Sequence, residues 1–93
     1  MPRQSEAKRQ IDERFGERLK ELRSDRGWSR AELGAAMWVS EDLVGKWETG
    51  KRGVNLAQLL HLAQVFSLTL DKLVHGDSPP PRIIPITRMK FTE

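Results

Sequence analysis

The central part of the chain constrains the fold most strongly, because residues that start and end helices alternate there at short intervals. Ser29 is followed three residues later by Glu32, which is the spacing of a capping box, where each side chain accepts from a backbone N–H of the other residue. Ser40 is suited to a second helix start and Gly50 to the position just after a helix end. The spacing predicts two short helices joined by a tight turn. Their expected ranges are 30–37 and 41–49.

A longer helix is predicted before this pair, over residues 6–26. Ser5 is its expected N-cap and Gly27 its expected end, and we expect residues 1–5 to be disordered. Apolar residues at helical spacing form one stripe that should face the core. They are Ile11, Phe15, Leu19 and Leu22.

Two more helices are predicted after the pair. Asn55 caps a helix over residues 56–66, and Thr69 caps a short last helix that Gly76 closes. Apolar side chains at helical spacing should face the core in both. They are Leu56, Leu59, Leu60, Ala63 and Phe66 in the first, and Leu70, Leu73 and Val74 in the second. The pattern predicts an all-α fold of five helices with one small core.

The residues after Gly76 differ in composition. Three consecutive prolines favour an extended linker, and residues 82–91 are rich in β-branched and other apolar side chains. We expect an extended C-terminal arm that pairs across a homodimer interface or onto a second protein; the alternative is a disordered tail. The residues of this arm are Ile83, Ile84, Ile86, Met89 and Phe91. The expected divisions are a basic N-terminal extension of helix 1 over residues 1–10, a domain over 11–76, and the linker and arm over 77–93.

Composition bounds the class of protein. The absence of cysteine excludes disulfides and thiolate zinc sites. No apolar run is long enough to cross a bilayer and no signal-peptide segment opens the chain, so we expect a soluble, intracellular protein. The net charge of +3 permits nucleic-acid binding. The basic charge lies around the predicted helix pair, since residues 28–50 carry two basic and four acidic side chains.

Residues 15–73 resemble a known family. The motifs are RGWSRAEL, V-S-x-x-x-V-x-x-W-E-x-G-K ending at Lys51, and L-x-x-L-A-x-x-F-x-L-x-L-D-x-L ending at Leu73. They resemble the phage-repressor-like regulators of bacteria and phages, the Xre or Cro type. The resemblance implies a five-helix, lambda-repressor-like DNA-binding domain in which the two short helices form a helix-turn-helix.

The family also implies which residues meet DNA. Its members contact bases with the first residue of helix 2 and the outer face of helix 3. The corresponding residues are Arg30, Glu41, Asp42, Gly45 and Lys46. Nearby cations and helix caps are expected to contact phosphates. These residues are Ser29, Ser40, Lys51, Arg52 and Asn55. For Lys51 and Arg52 the alternative is a solvated loop without a binding role.

Glu41 and Asp42 are unexpected on a surface that meets phosphate, which repels carboxylates. One interpretation is structural: both lie in a first helical turn, where a carboxylate is favoured by ~0.3–1 kcal/mol. The other is that Glu41 accepts a hydrogen bond from the N4 amine of cytosine. Either way, neighbouring cations must outweigh the two negative charges for DNA to bind.

Trp38 departs from the family pattern, which usually has glycine at this turn position, often with positive φ. A bulky residue is disfavoured in that conformation. We expect the indole to cover the turn and pack on the core. The alternative is an exposed aromatic side chain that contacts a DNA sugar or a partner protein.

Arg23 and Glu48 complete the family pattern. An arginine of helix 1 commonly pairs there with the glutamate that closes helix 3, and these residues correspond. Such a structural ion pair ties the third helix to the scaffold. If it is buried, losing one partner should destabilise the fold more than losing both.

No enzyme, metal or cofactor is expected. Residues 45–52, GKWETGKR, nearly match a phosphate-binding loop, but Arg52 stands where serine or threonine is needed and no strand precedes it. No nucleophile–base pair or carboxylate cluster appears, and His61 and His75 are too far apart for a metal pair on one helix.

Two functions remain open. The first is a sequence-specific DNA-binding transcriptional regulator, a repressor, that acts as a homodimer on a two-fold operator in the cytoplasm at the nucleoid. Helix 5 and the following segment would dimerise, as is common in the family, and the basic start of helix 1 would add phosphate or dimer contacts. The second is an antitoxin or anti-regulator of the same fold, which holds a partner protein such as a toxin through its C-terminal arm.

Overall fold

The structure is a computed structural model that describes the backbone of residues 2–76 and the side chains of residues 6–76. Over that range it consists of α-helices, turns and loops, which confirms the all-α prediction. The helices are α1 (Pro2–Asp25), α2 (Arg30–Met37), α3 (Glu41–Glu48), α4 (Leu56–Phe66) and α5 (Leu70–His75). The predicted linker and arm, residues 77–93, lie outside the described residues.

The predicted N-caps of the four shorter helices are confirmed. Ser29 Oγ accepts from Glu32 N at 3.0 Å while Glu32 Oε1 accepts from Ser29 N at 2.7 Å, so both halves of the capping box are present. Ser40 caps α3 through Leu43 N. Asn55 and Thr69 cap α4 and α5 in the same way. Each cap satisfies a backbone N–H that the first turn leaves without a partner.

The first helix begins earlier than predicted. α1 starts at Pro2 rather than after Ser5, so residues 2–5 are helical and Ser5 is not a cap. Proline suits the first helical position, because that position has no intrahelical N–H bond to lose. The glutamine, arginine, lysine and alanine residues that follow are good helix formers. The third helix ends one residue earlier than predicted, since α3 stops at Glu48 and Thr49 is its C-cap.

One hydrophobic core holds the five helices together. α3 packs against α1 and α2, α4 packs against α2 and α5, and α5 also meets α1. Trp28 in the loop before α2 stacks on Phe66 with ring centroids 5.2 Å apart. The buried hydrophobic residues are Leu19, Leu22, Leu33, Met37, Val44, Trp47, Leu62, Ala63, Phe66 and Leu73.

A glycine permits the close approach of α1 to α3. A Cβ on Gly16 would meet the backbone carbonyl oxygens of Trp47 and Glu48, the latter at 2.7 Å. Backbone atoms cannot move aside as a flexible side chain can. Gly16 therefore fixes the spacing that brings the end of α3 against the first helix.

Five residues predicted to face the core are exposed instead. They are Ile11, Leu56, Leu60, Leu70 and Val74. In α4 the buried face centres on Leu62, which the prediction left out. The predicted apolar stripe of α4 was therefore turned around the helix axis relative to the face that is buried. Helical spacing identifies an apolar side of a helix, but the positions of neighbouring helices decide which part of that side is covered.

Candidate nucleic-acid interface

An open groove runs along the outer side of α2 and α3. We call it the recognition groove and define it by its lining residues: Arg30, Glu41, Asp42, Gly45, Lys46, Thr49 and Lys51. It contains all five residues that the sequence predicts as base contacts. They come together because α2 and α3 pack against each other across a turn of three residues, which brings the start of α2 beside the middle of α3.

Trp38 holds the turn between α2 and α3 in a left-handed conformation, with φ 59° and ψ 38°. Its backbone N–H donates to Ala35 O, and Val39 N donates to Gly34 O at 2.9 Å, so the turn closes α2 tightly. The side chain is 90% exposed. The expectation that the indole packs on the core is therefore wrong, because no helix of the described residues covers this side of the turn.

Glu48 anchors α3 to α1 and its side chain is fully buried. Arg23 Nε donates to Glu48 Oε2 at 2.6 Å and Arg23 Nη2 donates to Oε1 at 3.2 Å. Arg23 Nη1 also donates to Trp28 O at 2.8 Å. Hydrogen bonding to Glu48 raises the pKa of Arg23 above its ordinary value, although burial opposes this. The geometry is that of the predicted structural ion pair, in which the cation stays charged.

Arg30 is a second partner of Glu48, which the sequence analysis missed. Its Nε donates to Glu48 Oε1 at 3.0 Å, although its side chain stays 39% exposed. A Cβ on Gly45 would lie 3.3 Å from Arg30 Nη1. Gly45 thus leaves room for the guanidinium against the bare backbone of α3. Glu48 therefore holds Arg30, a predicted base contact, on the protein side, while Arg30 also lines the recognition groove.

The outer face of α3 carries paired charges. Lys46 Nζ lies 3.3 Å from Asp42 Oδ2, one helical turn earlier, and both side chains are largely exposed. Glu41 and Asp42 occupy the first turn, as the structural interpretation of these carboxylates requires. Because Glu48 is buried against two arginines, its charge does not face the groove. The charged side chains lining the groove are three basic and two acidic, so the surface is less negative than the sequence of α3 suggests.

Of the predicted phosphate contacts, the two cations lie at the groove and the three helix caps are not part of its lining. Lys51 lines it directly, and Arg52 follows in the same exposed loop. The side-chain oxygens of Ser29, Ser40 and Asn55 accept capping hydrogen bonds and lie outside the groove lining. Each of these three side chains keeps a donor hydrogen that no cap uses.

Thr49 is a groove residue that the sequence analysis did not single out. Its Oγ1 donates to Gly45 O at 2.9 Å, which turns the side chain back onto the last turn of α3. Threonine bonds readily to the carbonyl four residues earlier in a helix. Thr49 follows Glu41 and Gly45 at spacings of eight and four residues, and this helical spacing is the signal that could have identified it.

No group of side chains with metal-ligand spacing occurs between residues 6 and 76. Among the helices of the described part of the chain, none is long and apolar enough to cross a membrane.

The chain belongs to a family of helix-turn-helix domains, whose model matches residues 14–75. This confirms the resemblance found in the sequence. A curated relative is the HTH-type transcriptional activator BcrR of Enterococcus faecalis, which is 33% identical over 63 residues. The match covers 68% of this chain and 31% of BcrR. The chain spans less than two thirds of the length of the curated relatives that it matches.

Two solved structures share the fold and about a third of the aligned residues. The P22 c2 repressor, solved in complex with a synthetic operator, has a TM-score of 0.61 and 30% identity, and the match covers 68% of this chain and 96% of that one. The restriction-modification controller protein C.AhdI of Aeromonas hydrophila has a TM-score of 0.62 and 34% identity, with 66% and 92% covered. These likenesses confirm the lambda-repressor-like architecture.

Proposed function

We propose that the chain is a sequence-specific DNA-binding transcriptional regulator. The observation that carries the proposal is the recognition groove, where the residues expected to meet bases lie together on one surface. A repressor is the simplest form of this function, because occupying an operator needs no contact beyond the DNA. A regulator of this kind acts in the cytoplasm, at the nucleoid.

The arrangement of charge supports contact with a duplex. Lys51 and Arg52 lie at the end of α3, where the DNA backbone would pass if α3 entered the major groove. The Asp42–Lys46 pair is exposed and therefore weak, at ~0.2–1 kcal/mol. Opening this pair costs little, so Lys46 and Asp42 are both available to DNA.

A binding titration on random duplex DNA tests the proposal. Neutralising several phosphates releases counterions, so affinity should fall by orders of magnitude between ~50 and ~200 mM salt. Lys51→Ala with Arg52→Ala should weaken binding and flatten the salt dependence. Lys20→Ala with Lys72→Ala is the matched control, because it removes the same charge at two exposed lysines outside the recognition groove. Affinity that does not change with salt would contradict the proposal.

We further propose a homodimer on a two-fold operator. An apolar groove lies between α1, the loop before α4, and α5; its residues are Ile11, Asp12, Arg14, Phe15, Val54, Leu59, Val74 and His75. Ile11 and Val74 are exposed there. The Asp12 carboxylate of the groove already accepts from Lys8 Nζ of the same chain at 2.7 Å. What a second copy would cover is the apolar lining, with its exposed Ile11 and Val74 side chains. We therefore assign a second copy of the chain as its occupant.

Sedimentation equilibrium tests the dimer. Val74→Lys should give a monomer that still folds, because Val74 is already 39% exposed. Leu60→Lys, at a residue that is 45% exposed and outside the apolar groove, should stay dimeric. A dimeric Val74→Lys variant would contradict the assignment.

The C-terminal arm is the alternative place for a partner. Its sequence support is the apolar content of residues 82–91, and the proposed partner is a second copy or a protein such as a toxin. Truncation after Asp77 separates these readings. A truncated chain that turns monomeric supports the arm as a dimer contact. If the truncated chain stays dimeric and binds DNA unchanged, the arm has no part in either, and it is left as a tail or as a segment that binds a partner protein.

A further inference from the structure

We infer that the DNA beneath α3 is rich in G·C base pairs. The inference rests on the proposed function and names the kind of operator that the recognition groove selects. Two features of the recognition groove support it: the donors and acceptors of its lining, and the contacts that hold Arg30 and Lys46.

Each charged side chain of the recognition groove carries either hydrogen-bond donors or acceptors, and none carries both. Arg30, Lys46 and Lys51 can only donate, and Glu41 and Asp42 can only accept when ionised. The Thr49 hydroxyl donates to Gly45 O, so only its lone pairs remain for a ligand. The groove lining contains no asparagine or glutamine, whose amides combine a donor with an acceptor.

The bases differ in whether their major-groove edge carries only acceptors, only a donor, or both. Guanine offers two adjacent acceptors, O6 and N7, and cytosine offers the N4 donor without a neighbouring acceptor. Adenine places its N6 donor beside the N7 acceptor, whose lone pair repels a carboxylate. A surface of separate donors and acceptors therefore matches both bases of a G·C pair. In an A·T pair a cation can meet thymine O4, but a carboxylate on adenine N6 lies beside the N7 acceptor.

The held geometry favours this match. Arg30 is fixed through Nε to Glu48, which keeps the guanidinium against Gly45 and leaves its two amino groups for a ligand. Two parallel N–H donors are what guanine O6 and N7 accept. Lys46 and Asp42 lie side by side, so together they can donate to guanine O6 and accept from cytosine N4 of one base pair. DNA can replace their mutual contact by one contact for each.

Selection from random duplexes, followed by sequencing, tests the inference with the full chain. We expect a two-fold motif whose half-sites have G·C pairs at the positions that α3 covers. A motif with A·T pairs at those positions would overturn the inference and leave the proposed function intact. If the folded protein binds no duplex, the proposed function fails and the inference falls with it.

Asp42→Asn is the sharper test, because it replaces an acceptor by an amide of nearly the same shape. At one base pair of each half-site, the wild type should prefer cytosine over adenine by about tenfold. The variant should lose or reverse that preference. Asp71→Asn is the matched control, since Asp71 also occupies the second position of a helix and lies outside the recognition groove.

The ratio of affinities for the two base pairs is the readout, because loss of a negative charge alone would raise affinity for both. A changed ratio in Asp42→Asn with an unchanged ratio in Asp71→Asn supports the inference. If wild type and Asp42→Asn select the same motif, Asp42 does not read a base, and the donor–acceptor reasoning behind the inference is refuted.

Discussion

Replacing Arg23 by alanine is expected to destabilise the fold more than replacing Arg23 and Glu48 together. Three hydrogen bonds reach the buried carboxylate of Glu48, two from Arg23 and one from Arg30. The single substitution removes two of them and leaves a buried charge. Breaking a fully buried pair costs ~3–5 kcal/mol. Because Arg30 stays in place, we expect a loss near the lower end, about 3 kcal/mol.

The double variant, Arg23→Ala with Glu48→Leu, removes the buried charge as well as its partner. Leucine has a similar volume and needs no hydrogen bond, and Arg30 can turn to solvent because it is 39% exposed. The expected loss is about 1–2 kcal/mol, since replacing a buried ion pair by apolar residues is often close to neutral.

Urea unfolding followed by circular dichroism measures both losses. For a domain of this size, about 3 kcal/mol corresponds to a fall in Tm of roughly 12–24 °C. Lys20→Ala is the control, since Lys20 is an exposed cation on the same helix and lies outside the apolar groove. A single variant that unfolds like wild type, or a double variant that is less stable than the single one, would refute the reasoning.

Three further predictions concern the turn, the helix contact and the groove. Trp38→Gly should raise the free energy of unfolding by about 1 kcal/mol, because glycine relieves the left-handed strain and an exposed indole buries little; a lower urea midpoint would contradict this. Gly16→Ala should lower it by about 2–3 kcal/mol through backbone overlap with α3, and an unchanged melt would mean that α1 moves freely. Lys46→Ala should cost ~1–3 kcal/mol on the selected operator and little on scrambled DNA, whereas Arg52→Ala should weaken both alike. Equal losses on both DNAs for Lys46→Ala would remove its reading role.

The helix boundaries around the turn were predictable because a cap is a local interaction. Ser29 and Glu32 are three residues apart and complete their exchange of hydrogen bonds without the rest of the domain. The same is true of Ser40 and Leu43. The start of α1 was missed because Ser5 matches a cap as well as it matches a helix interior, and local sequence does not separate the two.

The family pattern predicted which residues line the recognition groove. The net charge that this surface presents to DNA could not be predicted from the sequence. From the sequence, Glu48 adds a negative charge to α3. In the fold, that charge is buried against two arginines that lie 25 and 18 residues away along the chain. The carboxylates that repel phosphate are therefore reduced to Glu41 and Asp42, with Lys46 beside the latter.

What the sequence by itself determined is the number of helices between residues 2 and 76, the N-caps of the four shorter ones and the family to which the chain belongs. These depend on contacts within a few residues or on motifs with fixed spacing. Only the tertiary structure decided that Leu62 rather than Leu60 is buried, that Trp38 points into solvent, and that Arg30 is held by Glu48. Each of these depends on where a second helix lies, and burial and ion pairing are set by neighbours in space, which spacing along the chain does not specify.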